Sequence, residues 1–337
     1  MNSLTDTLCQ ITGATSASLG EEIQSLWSGY GVIQRAKLHG LESGASDPQS
    51  VVLKHIDVTA ARPNRRGWSN QTSHDRKVRS YQVEKIFYES FSGQCDTTCE
   101  VPNLIAAHEK QGEDGIGSGW IIVLTDLDSQ GFNVRRSQVQ ENAIHACLRW
   151  LANFHATFMQ KPATGLWPVG TYWHLETRPD EFAAMPDGPL KRAANSIDLK
   201  LSQTQHQTLV HGDAKVANFC FSGIETNRVA AVDFQYVGRG CGMKDVAYFI
   251  SSCLNDAEAA EQQTPLLDYY FQQLQSALTS RKIEVEFTDL EHEWRELYPF
   301  AWADFCRFLS GWSPGHWKLN SYSQRITQSA LDLLAAD

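Results

Sequence analysis

The amino-acid sequence predicts an α+β fold of two lobes: a small N-terminal antiparallel sheet plus a helix, and a larger, mainly helical C-terminal lobe. Two observations indicate this. The chain has 337 residues, more than one hydrophobic core commonly holds. Strand-sized apolar segments prevail in the first 127 residues, whereas segments with helical spacing prevail in the rest. We therefore expect lobes at residues 1–127 and 128–337.

Composition and charge exclude several classes of protein. Hydrophobic residues make up 42% of the chain and aromatic residues 10%, which excludes a disordered or collagen-like chain. A formal net charge of −10 disfavours a nucleic-acid partner. No apolar run approaches the roughly 20 residues that a membrane-spanning helix needs, and no signal-peptide pattern is visible. The eight cysteines are expected to be free thiols, because no secretion signal accompanies them. We therefore expect a cytoplasmic protein with no membrane partner.

The N-terminal lobe has an alternation of strand and turn signals. Val83, Phe87 and Phe91 form an apolar row at helical spacing. Turn residues Ser28-Gly29-Tyr30-Gly31 separate the first two apolar segments. The predicted elements are strands at 23–29, 32–38 and 51–56, a helix at 75–91, and a hairpin at 103–109 and 119–127.

The C-terminal lobe has mostly helical spacing. The predicted elements are helices at 138–159, 265–280 and 290–309 and two short strands at 208–210 and 228–232. Residues 161–189 are rich in Trp, Pro and Gly and are expected to be irregular.

One polar pattern carries chemistry. His211-Gly212-Asp213 is followed by Lys215 and Asn218, and Asp233-Phe234 comes 15 residues after Asn218. Both clusters follow a short apolar strand, so two hairpin-linked strands would bring Asp213, Asn218 and Asp233 together. One carboxylate can face a nucleophile, while an amide oxygen and a second carboxylate are ligands that suit Mg²⁺. The pattern therefore indicates phosphoryl transfer.

These residues resemble the protein-kinase-like phosphotransferases, and more closely the aminoglycoside phosphotransferase and choline kinase branch with its ecdysteroid-kinase-like (CHK kinase-like) group. The resemblance extends over about residues 23–252. It implies a protein-kinase-like fold and an ATP- and Mg²⁺-dependent transfer of the γ-phosphate to a hydroxyl of a small molecule. The acceptor classes that it leaves open are amino alcohols, sugars, aminoglycosides and sterol-like alcohols.

The resemblance also implies roles for individual residues. Asp213 would accept or orient the hydroxyl proton, and Asn218 and Asp233 would hold Mg²⁺. Lys215 stands where protein kinases have a lysine on the transferred phosphate, and we include it as a catalytic candidate. His211 is expected to brace the catalytic loop.

Lys54 in the third strand and Glu84 on the following helix stand where kinases have the lysine that contacts the α- and β-phosphates and the glutamate that holds it. Glu89 is the alternative glutamate. Asp245 is expected to cap a helix and to accept hydrogen bonds from the catalytic loop, and His155 is expected to be a hydrogen-bonded core residue.

Two backbone segments complete the expected nucleotide site. Gly29, Tyr30 and Gly31 depart from the G-x-G-x-x-G pattern, although the glycines would still let backbone N–H groups approach phosphate. The backbone of Thr125, Asp126 and Leu127 follows a strand at the place where kinases bind adenine.

Aromatic residues are concentrated at 167–174 and 302–317. They are either the core of a helical lobe or the walls of an acceptor pocket. With Asp304, or with Asp180 and Glu181, such a pocket could hold an alkylammonium by cation–π contact, or it could stack on a sterol or sugar.

Two other functions compete with that of a small-molecule kinase. A protein kinase is disfavoured because only 12 residues separate Asp233 from Asp245 and because the loop lacks the arginine of H-R-D. A non-catalytic ATP-binding scaffold is disfavoured because all the expected polar residues are present.

Overall fold

The computed structural model of this chain describes residues 3–41, 48–59, 70–111, 117–223 and 228–336. They fall into two units, the first comprising Met1–Gly93 and Val101–Asn133 and the second Gln94–Glu100 and Val134–Asp337. The expected boundary after residue 127 thus lies six residues before the one in the structure. Backbone N–H groups of Gln130 and Phe132 donate to the Leu127 carbonyl, which keeps this turn with the strand before it.

An antiparallel sheet is the basis of the first unit. Its strands are β1 (Ser16–Ser25), β2 (Gly31–His39), β3 (Gln49–Asp57), β4 (Leu104–Gln111) and β5 (Gly117–Thr125), in the order β1-β2-β3-β5-β4. Helix α1 (Leu4–Thr12) packs on one face, where Leu8 meets Leu53 and Val123. Because side chains alternate along a strand, Lys54 points to the opposite face, toward helix α2 (Asn70–Ser90). The predicted small sheet with a helix is confirmed.

Two elements of this unit differ from the expectation. Helix α1 was not predicted, although Ser3 and Asp6 form a capping box at its start and Gly13 ends it with φ 75°. Strand β1 lies at residues 16–25 rather than 23–29. Nearly all its residues are exposed and its pairing with β2 is interrupted by register shifts, so it lacks the apolar alternation that marks a buried strand.

The second unit is mainly helical, as predicted. Its helices are α3 (Glu141–Thr157), α4 (Pro179–Ala184), α5 (Pro189–Ser202), α6 (Met243–Cys253), α7 (Asp256–Ser280), α8 (Phe287–Trp312) and α9 (Ser321–Ala336). Helix α3 packs against α7, and α8 contacts α5, α6 and α9. None of the helices in the described ranges is long and apolar enough to cross a bilayer.

Several helical predictions for this unit need correction. Helices α5 and α9 and the short α4 were not predicted. Helix α7 begins at Asp256, nine residues before the expected start at Pro265, because Asn255 and Glu258 form a capping box there. Pro265 is accommodated within the helix rather than at its first turn.

Four short strands carry the loops of interest in the second unit. They are β6 (Thr208–Val210), β7 (Phe219–Phe221), β8 (Val229–Ala231) and β9 (Gly238–Gly240). Strand β6 pairs with β9, and β7 pairs with β8, both antiparallel. The prediction that the strand before Asp213 and the strand before Asp233 pair with each other is therefore wrong, because each has another partner.

Gly31 allows β2 and β3 to approach closely. Its φ is 136°, and a Cβ atom there would lie 1.9 Å from the His55 carbonyl oxygen. We expect Gly31→Ala to lower the free energy of unfolding by about 2 kcal/mol or more, through strain and overpacking. Urea denaturation of the nucleotide-free protein measures this. Gly93→Ala is the matched control, since its Cβ would meet nothing within 4 Å; equal stability of the two variants would contradict the prediction.

Candidate active site

A buried carboxylate holds the loop that follows β6. Asp245, in the first turn of α6, is fully buried and accepts hydrogen bonds from the backbone N–H groups of His211 (2.6 Å) and Gly212 (2.9 Å). Gly212 has φ 79°, and a Cβ there would lie 2.1 Å from the Tyr236 carbonyl oxygen. The expected role of Asp245 toward the loop is confirmed. The expected cap is wrong, because the N-cap position of α6 is Gly242.

Two histidines complete this support. His155 on α3 is fully buried, with Nε2 3.1 Å from Asp245 Oδ2 and Nδ1 2.7 Å from the Tyr270 hydroxyl. His211 Nε2 lies 3.0 Å from the Val232 carbonyl oxygen, and the Asp213 N–H donates to His211 Nδ1. Both histidines are structural, as the sequence predicted.

The loop presents Asp213 with its two carboxylate oxygens in different surroundings. Oδ2 accepts hydrogen bonds from Lys215 Nζ (2.9 Å) and from Asn218 Nδ2 (3.0 Å). Asn218 Nδ2 also donates to the Asp213 carbonyl at 2.8 Å. Oδ1 is buried and has no hydrogen-bond partner at normal distance within the described parts of the chain. One oxygen is thus fixed, while the other is left to accept a hydrogen bond.

Asp233 comes to the same place by a different route. The Val232 N–H donates to the Asn218 carbonyl at 3.0 Å, which ties the end of β8 to the loop of Asn218. Asp233 itself has φ 70°, an uncommon conformation that aspartate tolerates better than most residues, and its Oδ1 accepts a hydrogen bond from Gln235 Nε2 at 2.6 Å.

The charge of Lys215 links these two carboxylates. Burial opposes its charged form, yet the pKa of Lys215 is raised because the Asp213 and Asp233 carboxylates both favour the ammonium. The structure therefore brings together the four residues that the sequence selected in this unit, Asp213, Lys215, Asn218 and Asp233.

In the first unit, Lys54 and Glu84 form a buried ion pair. Lys54 Nζ lies 2.5 Å from Glu84 Oε2, and the two residues are 4% and 2% exposed. The Lys54 ammonium also lies 5.7 Å from the centre of the Tyr81 ring. The predicted pairing is confirmed, whereas the alternative, Glu89, pairs with Lys85 on the surface of α2.

The glycine-containing turn is a tight link between β1 and β2. The Gly29 N–H donates to the Leu26 carbonyl at 3.1 Å. Tyr30 is buried, and its hydroxyl lies 2.8 Å from His74 Nδ1. The Tyr30 side chain thus serves the interior of the first unit, and Gly31 is required by the close approach of β3. A role for the backbone of these three residues toward phosphate stays a prediction.

The predicted adenine-binding segment follows β5. The Thr125 N–H donates to the Asn103 carbonyl, and the Asp126 carboxylate accepts hydrogen bonds from Arg35 Nε (3.1 Å) and Ser50 Oγ (2.7 Å). The Leu127 carbonyl closes the following turn. The Asp126 side chain is therefore structural, and adenine recognition by this backbone stays a prediction.

Comparison with known proteins agrees with the site and the fold. The model of the ecdysteroid kinase-like family matches residues 173–283, a segment that contains Asp213, Lys215, Asn218 and Asp233. The chain resembles the ecdysteroid kinase-like family. This confirms the predicted resemblance and supports the predicted enzyme class, a small-molecule kinase. A search of the curated proteins found no match.

Two solved structures cover nearly the whole chain. One is a Ralstonia eutropha JMP134 protein assigned to the aminoglycoside phosphotransferases, with TM-score 0.50, 14% identity, and 97% of this chain and 94% of that chain covered. The other is an amicoumacin kinase in complex with AMP-PNP, Ca²⁺ and Ami, with TM-score 0.53, 11% identity, and 97% and 92% covered. At identities this low, the structural likeness shows the fold alone. It confirms the predicted protein-kinase-like fold class.

Much of the aromatic concentration at 167–174 and 302–317 is core. Trp173, Tyr248, Phe305 and Phe308 pack together in the second unit. Trp302 is also buried, and its indole N–H donates to Ser323 Oγ at 2.9 Å. Trp317, by contrast, is 59% exposed.

Sequence reasoning missed two groups beside Asp213. Burial raises the pKa of Tyr248, and the negative charge of Asp213 together with a long hydrogen-bond contact to its carboxylate raises it further. Lys318, between α8 and α9, lies over the Tyr248 ring at 4.8 Å from its centre. Burial lowers the pKa of Lys318 to about 8, and Asp213 partly opposes this. No local pattern in the sequence marks either residue: Tyr248 lies on α6 among buried residues, and Lys318 lies in the connection between α8 and α9.

The Lys54–Glu84 pair should act on stability as a unit. Lys54→Met and Glu84→Leu are each expected to lower the free energy of unfolding by about 3 kcal/mol, because each leaves one buried charge unpaired. The double variant should recover at least half of the summed loss. Urea denaturation and a double-mutant cycle measure the coupling. Additive losses would contradict the prediction. Lys85→Met, which breaks the surface ion pair with Glu89, serves as the control.

Proposed function

We propose that this protein is a kinase that transfers the γ-phosphoryl group of ATP to a hydroxyl of a small molecule. The observation that carries the proposal is the asymmetry of the Asp213 carboxylate. Lys215 and Asn218 fix Oδ2, while buried Oδ1 has no hydrogen-bond partner at normal distance within the described ranges. A buried acceptor atom without a donor is costly, and a substrate hydroxyl would supply the donor.

Asp213 then orients the acceptor hydroxyl and takes its proton. The hydroxyl oxygen forms the new bond to the γ-phosphorus, the bond from that phosphorus to the β,γ-bridging oxygen breaks, and ADP leaves with the electron pair. The hydroxyl proton passes to Asp213 Oδ1. Because the transition state of phosphoryl transfer is loose, positioning and charge neutralisation provide most of the catalysis. Lys215, held beside Asp213, supplies a positive charge to the transferred group.

Asn218 and Asp233 would hold the divalent cation. The Asn218 amide is oriented by its nitrogen, which donates twice to Asp213, so its oxygen is the atom offered to a metal. Asp233 offers a carboxylate whose orientation Gln235 fixes. This donor set suits Mg²⁺, which takes one or two protein carboxylates and fills its shell with phosphate oxygens and water. When bound, Mg²⁺ neutralises the charge of the phosphates.

Lys54 would contact the α- and β-phosphates. The buried pair with Glu84 supports this role because it sets the position of the ammonium before nucleotide binds. We further propose that backbone groups of Gly29, Tyr30 and Gly31 contact phosphate and that those of Thr125, Asp126 and Leu127 bind adenine.

Asp213→Asn tests the central role. The variant should lose 10²–10⁴-fold in the rate of phosphate transfer, because the amide cannot accept the proton. Radiolabelled γ-phosphate transfer is measured over a panel of alcohols, sugars and amino alcohols, with the exposed Asp332→Asn as the control. If Asp213→Asn matched the wild type, Asp213 would not be the proton acceptor. Wild-type protein that binds Mg-ATP without any transfer would instead indicate a non-catalytic nucleotide-binding protein.

Asn218→Ala tests the metal ligands. This variant should need a higher Mg²⁺ concentration for half-maximal stabilisation by ATP, because one oxygen ligand is lost. In the wild type, Mg-ATP at 100 times its Kd should add about 2.7 kcal/mol to the free energy of unfolding. Thermal unfolding across a Mg²⁺ titration measures the shift, with Asn195→Ala, an exposed change on α5, as the control. An unchanged titration would remove Asn218 from the ligand set.

A further inference from the structure

The ammonium of Lys318 lies among aromatic rings. Its Nζ is 4.8 Å from the ring centre of Tyr248, 5.3 Å from that of Phe305 and 5.6 Å from that of Trp317. It also donates to Ser251 Oγ at 3.2 Å. Aromatic faces at such distances attract cations, and this is how proteins recognise alkylammonium groups. Here the chain's own lysine takes that place.

This aromatic cage, formed by Tyr248, Phe305 and Trp317, adjoins the catalytic carboxylate. The Tyr172 N–H donates to the Gly212 carbonyl at 3.1 Å, and the Tyr172 hydroxyl donates to that of Tyr248 at 3.2 Å. Burial and then the negative charge of Asp213 raise the pKa of both phenols. The cage therefore lies beside the loop of Asp213 within the second unit.

Carboxylates that could bind a cationic acceptor here are already paired. Asp304 accepts hydrogen bonds from Arg307 Nη2 at 2.8 Å and from the indole N–H of Trp173 at 3.1 Å. Asp304 and Arg307 are both almost completely buried. Glu181 accepts a hydrogen bond from Arg178 at 3.0 Å. These pairings remove two of the three carboxylates that the sequence suggested for an alkylammonium.

A second cation, the Arg178 guanidinium that pairs with Glu181, also lies against aromatic rings. The Arg178 guanidinium lies 5.7 Å from the Tyr172 ring centre and 5.2 Å from that of Phe308. Burial lowers the pKa of Lys318 to about 8, so this ammonium is already poorly solvated. A second cation beside it would meet repulsion and would lose its own hydration.

On the basis of the kinase function proposed above, we propose that Lys318 determines acceptor specificity: the acceptor is an alcohol that carries no positive charge and places an oxygen atom against the Lys318 ammonium. Its apolar part lies on the exposed ring of Trp317. This excludes amino alcohols and aminoglycosides from the acceptor classes that the sequence left open, and it favours sugars, sterol-like alcohols and hydroxy acids.

Paired acceptors that differ in charge test the proposal. The pairs are choline with 3,3-dimethylbutan-1-ol, and an aminoglycoside with its N-acetylated form; 4-hydroxybutanoate adds an anion. In the wild type, kcat/KM should favour the uncharged member of any reactive pair at least tenfold. Lys318→Met should reduce that preference at least tenfold, mainly through KM, and Lys318→Arg should retain it. Arg192→Met, an exposed change on α5, is the control. A wild-type preference for the cation, or an unchanged preference in Lys318→Met, would overturn the proposal.

A binding measurement separates this proposal from the kinase function. Tetramethylammonium should bind Lys318→Met, whose cage holds no charge, with an affinity at least tenfold higher than the wild type, as measured by isothermal titration calorimetry. Equal affinities would overturn the proposal even if the protein is a kinase. A cage that behaves as expected in a protein with no phosphate transfer would instead overturn the kinase function. Circular dichroism melting verifies that both Lys318 variants are folded.

Discussion

The placement of the loop that carries Asp213 depends on the buried carboxylate of Asp245. Removing an aspartate from water is unfavourable unless its oxygens receive hydrogen bonds, and here two loop N–H groups and the imidazole of His155 supply them. The same hydrogen bonds fix the backbone of His211 and Gly212, and this sets the direction in which the Asp213 side chain points. His155 is in turn held by the Tyr270 hydroxyl on α7. Three helices thus set the position of one carboxylate.

A second buried charge pair follows the same principle in the first unit. The charges of Lys54 and Glu84 neutralise each other, and because both side chains are buried, neither has the conformational freedom of a surface side chain. An ammonium fixed in this way loses little conformational entropy when an anion arrives. Both networks therefore consist of buried charged groups that are held in place by their partners.

The charged groups beside the aromatic residues limit which ligands those residues can bind. An accumulation of tryptophan, tyrosine and phenylalanine with nearby carboxylates is typical of a site for alkylammonium groups. In this chain, Arg178 and Arg307 are the partners of Glu181 and Asp304, and the Lys318 ammonium lies against the Tyr248 ring. The chain's own cations therefore already occupy these carboxylates and this aromatic face.

The sequence by itself determined the class of fold and predicted the residues of the candidate site. The spacing of Asp213, Asn218 and Asp233 is a local property of one loop and two short strands, and so is the order of Lys54 and Glu84 along a strand and a helix. Buried strands and amphipathic helices were predicted for the same reason. Strand β1 was misplaced, because its exposed residues carry little hydrophobic periodicity. Helices α5 and α9 were not predicted although each has an apolar face, on which Ala194, Ile197 and Leu201 of α5 are buried.

Only the tertiary structure decided which strands pair and which charges meet. Strand β6 pairs with β9 rather than with the strand before Asp233, and Lys318 reaches the Tyr248 ring from a connection 70 residues further along the chain. Such contacts depend on the packing of α6, α8 and α9 against one another. A side chain's partner across a core is set by the whole fold, whereas its role within a loop is set by its immediate neighbours.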